Sequence, residues 1–139
     1  MSWTCPECGR LFARRRQTHE CSPAITLGAY FRTAEAWERA VFEAVYAHLS
    51  SLGEVTVEPV AVGIFLKGTG SFAELRPMRR WSALSWPMPR RLTHSRIARK
   101  PYSAGVRWFH VVNLSSADQV DDQLRDWLTE GWFADGQSG

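Results

Sequence analysis

Three cysteines and one histidine near the N-terminus have the spacing of a metal site. The set is Cys5, Cys8, His19 and Cys21, with intervals of two, ten and one residues. Two thiolates one tight turn apart can both face a single ion, and Gly9 permits the unusual backbone that such a turn needs. Because thiolate and imidazole are the ligands that tetrahedral zinc prefers, the spacing predicts one structural zinc ion. Four protein ligands would leave no open position for chemistry.

The same segment partly follows the pattern of two-Cys, two-His fingers. Phe12 follows Cys8 by four positions, where those fingers place the aromatic residue of their small core. Ten residues rather than about twelve then precede His19. His19 and Cys21 would diverge by about 200° on a helix but point the same way in an extended segment. We therefore expect any helix here to end before His19, and the metal to supply folding energy.

Positive charge is concentrated in residues 76–107, which we call the basic stretch. These residues include nine Arg or Lys and no acid, although the whole chain has a net charge of only +3. Residues 108–139 hold six acids against one Arg. Only Lys67 and Lys100 are lysines, so 15 of the 17 basic residues are Arg, whose planar fork suits phosphate. This uneven distribution of charge along the chain says more about its binding partners than the net charge does.

Aromatic residues lie among these cations. Trp81, Trp86 and Tyr102 fall within the basic stretch, and Trp108 follows it. Cations interleaved with aromatics suit phosphate contact combined with base stacking. A second basic run follows the first two cysteines, where a DNA-reading finger would present its helix. The residues predicted to contact DNA or RNA are Arg14, Arg15, Arg16, Arg79, Arg80, Arg90, Arg91, Arg96, Arg99 and Lys100.

An internal alternative exists for the basic stretch, because the acidic C-terminal residues could neutralise it. The pairs expected in that case join Arg90, Arg91, Arg96 or Arg99 to Asp118, Asp122 or Asp126. The acids at 118, 121 and 122 also fall in the first turns of a predicted helix, where negative charge favours the helix dipole. We interpret them as helix-stabilising residues rather than a carboxylate site.

Three interpretations of function remain open. The one we favour is a non-enzymatic, zinc-stabilised domain that binds nucleic acid or another polyanion through Arg residues. The second is an adaptor that meets an acidic protein partner. The third is an enzyme with a site near His110. The chain has no Gly-x-Ser-x-Gly, no His-Glu-x-x-His and no paired-carboxylate-plus-Lys pattern.

The other histidines have structural interpretations. His110 shares the apolar face of a predicted strand, and His48 lies on the buried side of a predicted helix. We expect both to be core histidines with satisfied hydrogen bonds rather than catalytic groups. His94 lies in the basic stretch and could touch phosphate, although a single loop histidine seldom has a function.

Hydrophobic periodicity predicts two helices that position these groups. The first has Thr33 as its N-cap and ends at Gly53. The second begins with a capping box formed by Ser116 and Gln119. Its buried stripe is expected to comprise Val120, Leu124, Trp127 and Leu128.

Apolar runs between these helices predict the strands. They cover residues 55–58, 60–67, 71–76, 81–86 and 106–114, with a long irregular loop at 88–105. Short links between them favour antiparallel pairing. The predicted fold is α+β, with an antiparallel sheet of about four to five strands flanked by two helices and preceded by a small zinc-finger-like segment. The expected divisions are that segment (1–22), the α+β domain (29–133) and a flexible tail (134–139).

Composition limits the class of protein. No apolar run approaches the roughly 18 residues that span a bilayer. The first residues lack the apolar region of a signal peptide, since Cys, Pro, Glu and an Arg run stand there. Three clustered cysteines, an odd number, fit a metal site in a reducing compartment better than disulfides. We therefore expect a cytoplasmic protein with no membrane partner.

The order of motifs resembles a known family. Residues 3–10, Trp-Thr-Cys-Pro-Glu-Cys-Gly-Arg, followed by Phe12, Gln17, His19 and Cys21, resemble the zinc-binding segment found before a bacterial domain of unknown function numbered 5655. The body resembles that domain itself, over a total of roughly residues 3–133. Its matching pieces are 55–59, 71–74, 96–97, His110, 120–122 and 127–128. The resemblance implies a small intracellular bacterial protein and supplies no established activity.

Overall fold

A small hairpin opens the chain. The computed structural model describes residues 2–17 and 25–136. In the N-terminal hairpin (residues 2–17), β1 (Trp3–Thr4) pairs antiparallel with β2 (Leu11–Phe12). Its core is separate from that of the rest of the molecule and consists of Cys5, Cys8 and Phe12, with Trp3 packed against them.

A six-stranded antiparallel sheet forms the centre of the molecule. Its strands are β3 (Thr56–Val60), β4 (Gly63–Lys67), β5 (Ser71–Pro77), β6 (Ser82–Met88), β7 (Tyr102–Ala104) and β8 (Arg107–Leu114). The spatial order is β3-β4-β5-β6-β8-β7. Short β7 therefore forms one edge, and β8 lies between β7 and β6.

Alternation of side chains along the strands gives the sheet two different faces. One face, the helix-covered face, has a cross-strand row of buried apolar residues formed by Ile64, Leu75, Leu84 and Val112. The opposite face, the outer face, has a half-buried row formed by Phe65, Glu74, Ser85 and Val111. The N-terminal hairpin covers this face at β3 and β4, where Glu58 and Lys67 are buried, and the polar residues of the outer row indicate that the rest of the face meets water.

Three α-helices accompany the sheet: α1 (Leu27–Phe31), α2 (Ala36–Leu52) and α3 (Asp122–Ala134). The apolar stripe of α2 comprises Val41, Phe42, Val45 and Leu49, and that of α3 includes Leu124, Leu128 and Trp132. Both stripes join the helix-covered face in one hydrophobic core. No helix within the described residues is long and apolar enough to cross a membrane.

Helices α2 and α3 begin at acidic caps rather than at the residues predicted. Glu35, not Thr33, is the N-cap of α2, where Glu35 N donates to Glu38 Oε2 at 2.7 Å and completes a capping box. Asp121 is the N-cap of α3 and accepts a hydrogen bond from Leu124 N at 3.1 Å. A carboxylate caps well because it also meets the positive end of the helix dipole. Gly53 follows the last residue of α2, as predicted.

The predicted capping box at Ser116 is wrong. Ser116 precedes a short 3-10 turn, Ala117–Gln119, and makes no side-chain cap hydrogen bond. Gln119 Oε1 instead accepts from Ser115 N at 2.7 Å. Helix α3 therefore starts later than predicted, although Val120, Leu124 and Leu128 are buried as expected and Trp127 is partly buried.

The α+β class and the antiparallel sheet are confirmed, but the prediction counted too few elements. The main sheet has six strands rather than four to five, and the described residues include three α-helices rather than two. The expected loop at 88–105 contains β7 and an isolated bridge between Ile97 and Val112. Pairing with β8 stabilises β7. A strand of three residues is too short to show a periodic pattern in the sequence.

Candidate functional site

Cys5 and Cys8 lie together on the turn between β1 and β2. Both are buried, only 4% and 6% exposed. Gly9 has a left-handed φ of 73°, and its N–H donates to Cys5 O at 2.8 Å. Two soft donors on one tight turn fit half of a tetrahedral zinc site. His19 and Cys21 lie outside the described residues, and within residues 2–17 and 25–136 no group of three or more His, Cys, Asp or Glu could hold a metal.

A buried ion cluster joins the N-terminal hairpin to the sheet. It consists of Arg10 from the hairpin, Glu58 from β3 and Lys67 from β4, which are 5%, 6% and 1% exposed. Glu58 Oε1 lies 2.8 Å from Lys67 Nζ and 3.4 Å from Arg10 Nε. Leu11 N donates to Glu58 Oε2 at 2.6 Å, and Lys67 Nζ donates to Leu11 O. Charge-assisted hydrogen bonds thus fix β2 against the sheet.

Aromatic rings enclose the buried ion cluster. The Lys67 ammonium lies 4.1 Å from the ring centroid of Phe12, and the Arg10 guanidinium lies 4.7 Å from that of Phe65. Burial lowers the pKa of Lys67, whereas the hydrogen bond and charge of Glu58 oppose that shift. The cluster was not predicted, because its members come from three separate segments of the chain. The one available signal was that Phe65 and Lys67 alternate with the other residues of β4 and so share one face of that strand.

The arginines at 14–16 are exposed after β2. The described residues form a turn here, not the helix of a DNA-reading finger: Arg16 has a φ of 56°, and Arg14 N donates to Gln17 Oε1 at 3.2 Å. A Cβ added to Gly70 would lie 3.2 Å from Ala13 Cβ. This contact places the turn next to the β4–β5 connection.

Four arginines of the basic stretch form ion pairs within the molecule: Arg76, Arg107 and two of the predicted contact residues, Arg90 and Arg96. Arg90 forms a bidentate pair with Glu130, at 2.8 and 3.0 Å. Arg96 Nη1 lies 2.8 Å from Asp121 Oδ1, and Arg96 Nη2 donates to Gln119 O at 2.7 Å. The hydrogen bond from Leu124 N and that from Arg96 lower the pKa of Asp121. The acids that pair with Arg90 and Arg96 are therefore Glu130 and Asp121, rather than the predicted 118, 122 or 126.

The other predicted contact residues are exposed, but they do not form one surface. Arg91, Arg99 and Lys100 form no ion pair with any residue the structure describes, and the Arg91 guanidinium lies 5.9 Å from the Trp108 ring centroid. Arg79 and Arg80 are exposed in the β5–β6 turn. Arg79 and Arg80 precede β6 and Arg91 follows it, so the length of that strand, about 20 Å, separates Arg91 from the other two.

A shallow groove of about 180 Å³, which was not predicted from the sequence, crosses the outer face. We call it the sheet groove, and its characteristic residues are Phe65, Glu74, Ser85, Tyr102, Arg107 and Phe109. The ring of Tyr102, 62% exposed, stacks on Phe109 with centroids 5.3 Å apart and planes at 15°. The Arg107 guanidinium lies 4.8 Å from the Phe109 centroid, and its Nε lies 2.7 Å from Asp135 Oδ1.

Register explains how the sheet groove forms. Phe65 pairs with Glu74 and Glu74 with Ser85, across β4, β5 and β6. Tyr102 pairs with Phe109 across the β7–β8 edge. The alternation of β8 offered a signal, because its apolar set at 108, 110, 112 and 114 leaves Arg107 and Phe109 on the other face.

His110 is buried and hydrogen-bonded at both ring nitrogens. Leu92 N donates to Nε2 at 2.8 Å, so Nε2 is the acceptor. Nδ1 therefore carries the proton and donates to Trp108 O at 3.0 Å. Burial lowers the pKa of His110 further than the hydrogen bond to Trp108 raises it. Both nitrogens bind main-chain groups, so the imidazole connects β8 to the residues after β6.

The remaining histidines also have internal partners. His48 Nε2 lies 2.8 Å from Thr129 Oγ1, which joins α2 to α3, and burial lowers the pKa of His48. His94 Nδ1 accepts from Arg96 N at 3.1 Å, and its ring meets Trp127 edge to face. His94 thus supports the position of Arg96 in the basic stretch.

Comparison with known proteins identifies the family but not an activity. No curated protein and no solved structure matches the chain significantly. The family model described as "Domain of unknown function (DUF5655)" matches residues 27–133. That match contains the whole main sheet, including Glu58, Lys67 and the sheet groove, while the N-terminal hairpin precedes it. The chain belongs to the DUF5655 family.

Proposed function

We propose that this protein is a non-enzymatic nucleic-acid-binding domain whose N-terminal segment is stabilised by one zinc ion. One observation carries the nucleic-acid proposal. Eight of the ten predicted contact residues are exposed and form no ion pair with a described residue. These exposed cations are Arg14, Arg15, Arg16, Arg79, Arg80, Arg91, Arg99 and Lys100.

Exposed arginines without a carboxylate partner are available to phosphate. Binding to a nucleic acid would release counterions condensed along its backbone, which favours association at low salt. The guanidinium fork can also donate two parallel hydrogen bonds to one phosphate. Four of the six acids in residues 108–139 do not compete, because they pair with arginines: Asp121 with Arg96, Asp122 with Arg125, Glu130 with Arg90 and Asp135 with Arg107.

The zinc proposal rests on Cys5 and Cys8, with His19 and Cys21 as the other two ligands. The two described thiols are buried together on a single turn. A cytoplasmic location, where thiols remain reduced, belongs to the same proposal. The ion would hold the hairpin turn and its small core, with a structural rather than catalytic role.

Salt dependence of binding tests the nucleic-acid proposal. Fluorescence anisotropy with labelled mixed-sequence oligonucleotides, single-stranded and duplex, gives log affinity against log salt. We expect a slope that corresponds to roughly three to six phosphates, at about −0.9 per phosphate on duplex or −0.7 on single strands. Arg14→Ala with Arg15→Ala should reduce the slope by about two phosphate units. Arg32→Ala, which removes an exposed arginine outside the predicted set, is the control.

The same measurement separates this proposal from an adaptor. A flat salt dependence with both oligonucleotides would exclude nucleic acid as the partner. Tight, salt-dependent binding of a labelled poly-glutamate peptide instead would favour an acidic protein partner.

A further inference from the structure

The outer face of the sheet combines features that the proposed function leaves unused. Tyr102 is 62% exposed although it belongs to a strand, and its ring stacks on Phe109. Phe65 and Phe109 are partly buried in the same groove, with Arg10 over the ring of Phe65 and Arg107 over that of Phe109. An exposed ring that continues a cluster of aromatic residues on one surface marks a binding surface.

We propose that the sheet groove binds the unpaired bases of single-stranded nucleic acid by stacking, an inference that rests on the proposed function. Aromatic side chains on an open sheet face offer planar surfaces to bases. These ring surfaces are accessible only to unpaired bases. Within a duplex the bases already stack on each other, and the phosphates face outward. The ligand class is therefore a single strand rather than a double helix.

Charge within the groove supports bases, not phosphates, on its floor. The Glu74 side chain lies in the groove, 24% exposed, and its Oε2 accepts a hydrogen bond from Arg76 Nη2 at 3.1 Å. The two cations next to the floor, Arg76 and Arg107, are thus paired with acids rather than open to a phosphate. The same carboxylate can accept a hydrogen bond from the exocyclic amine of a base. Ser85, its cross-strand neighbour, adds a hydroxyl that can donate or accept.

Exposed cations stand at the borders of the groove, where a backbone would pass. Arg107 itself lines the groove, lies beside Phe109 and pairs with Asp135. Arg99 and Lys100 are exposed just before Tyr102 at the β7 edge. Next to Gly70, the turn at 14–16 approaches the start of β5. This arrangement, with rings and an acid inside and arginines outside, is complementary to a strand that places its bases inward and its phosphates outward.

The width of the groove sets the number of bases. It extends from Phe65 on β4 to Tyr102 on β7, which is four inter-strand spacings or about 19 Å. Sheet faces of this kind stack about two or three bases. The groove therefore contacts a short stretch of the strand, and the exposed cations outside it contact the neighbouring phosphates.

The same change from Tyr to Ala, made once inside and once outside the groove, tests the proposal. In fluorescence anisotropy with a labelled single-stranded 12-mer of mixed sequence, Tyr102→Ala should weaken binding by roughly 5- to 150-fold. Tyr102→Phe keeps the ring and should bind as the wild type does. Tyr46→Ala removes another exposed tyrosine, on α2 and outside the groove, and should not change affinity. Thermal denaturation of each variant verifies that it is folded.

Salt titration separates failure of this inference from failure of the proposed function. Tyr102→Ala should leave the salt slope unchanged, because it removes no phosphate contact. Wild-type affinity of Tyr102→Ala with a normal salt slope would overturn base stacking but leave phosphate binding intact. Preference for the duplex of the same sequence would also overturn it. Binding of neither oligonucleotide would defeat both proposals, and loss of poly-glutamate binding in Tyr102→Ala would assign the groove to a peptide.

Discussion

Lys67 Nζ lies 2.8 Å from Glu58 Oε1, and the two side chains are only 2% and 7% exposed. A buried pair of this kind must offset the loss of hydration of both charges, and it does so only with further hydrogen bonds. Here those bonds go to Leu11, since Leu11 N donates to Glu58 and Leu11 O accepts from Lys67. The pair inside the sheet is thus completed by the N-terminal hairpin, which makes the stability of each depend on the other.

Lys67→Met should destabilise the protein by about 3 kcal/mol, because the longer contact to Arg10 is then the one ion pair left to the buried Glu58 among the described residues. Urea denaturation measures the free energy of unfolding. Lys100→Met, at the exposed lysine, should change it by less than about 0.5 kcal/mol. Equal stability of the two variants would show that the Lys67–Glu58 pair makes no net contribution to the free energy of unfolding.

Purified protein should contain about one zinc ion per chain, and Cys8→Ser should lose it. Since β2 completes the hydrogen bonds of Glu58 and Lys67, loss of the metal should also lower the stability of the main domain without unfolding it. Elemental analysis and urea denaturation measure the two effects. Thr4→Ser, at an exposed position of β1, is the control and should retain the metal. A zinc-free wild-type protein, purified reduced and without chelator, would refute the metal site.

The limits of prediction follow from which interactions are local. Periodicity located α2, α3 and the long strands, since one face of each is buried along its whole length. The edge strand β7 and the groove at Tyr102 and Phe109 depend on the order of strands, which a local pattern does not encode. Arg90 shows the same limit for charge, because its partner Glu130 lies 40 residues away. An acidic partner for Arg90 was expected on the C-terminal helix, but which of the acids it would be was not predictable.

Gly131→Ala should destabilise the protein by about 1–3 kcal/mol or more. Gly131 lies where α3 crosses β6, and a Cβ there would lie 2.3 Å from Pro87 O, which is main chain and cannot rotate away. Gly28→Ala, in α1, meets nothing closer than 4.0 Å and should be neutral or stabilise by about 0.5–1 kcal/mol. Thermal denaturation of both variants measures the contrast, and an equal change in melting temperature would contradict the close approach.

Acid should weaken the folded state partly through His110. Burial lowers its folded pKa, so below the unfolded value of about 6.5 the unfolded chain binds a proton that the folded chain does not. Stability therefore rises with pH in this range and falls as the pH drops below about 6.5. Denaturation of wild type and His110→Gln between pH 7 and 5 should show a smaller acid loss in the variant. His94→Gln, at an exposed histidine, should lose stability as the wild type does.

The two neighbouring arginines after β6 should behave differently toward nucleic acid. Arg91 forms no ion pair with a described residue, so Arg91→Ala should lower the salt slope by about one phosphate unit. Arg90 is held by two hydrogen bonds to Glu130, so Arg90→Ala should leave the slope nearly unchanged. Glu130→Gln removes the competing charge and should release Arg90 to phosphate, which would raise both the slope and the affinity at low salt. An equal loss of slope in Arg90→Ala and Arg91→Ala would show that phosphate displaces Glu130 from Arg90, and that internal pairing does not select the arginines that bind.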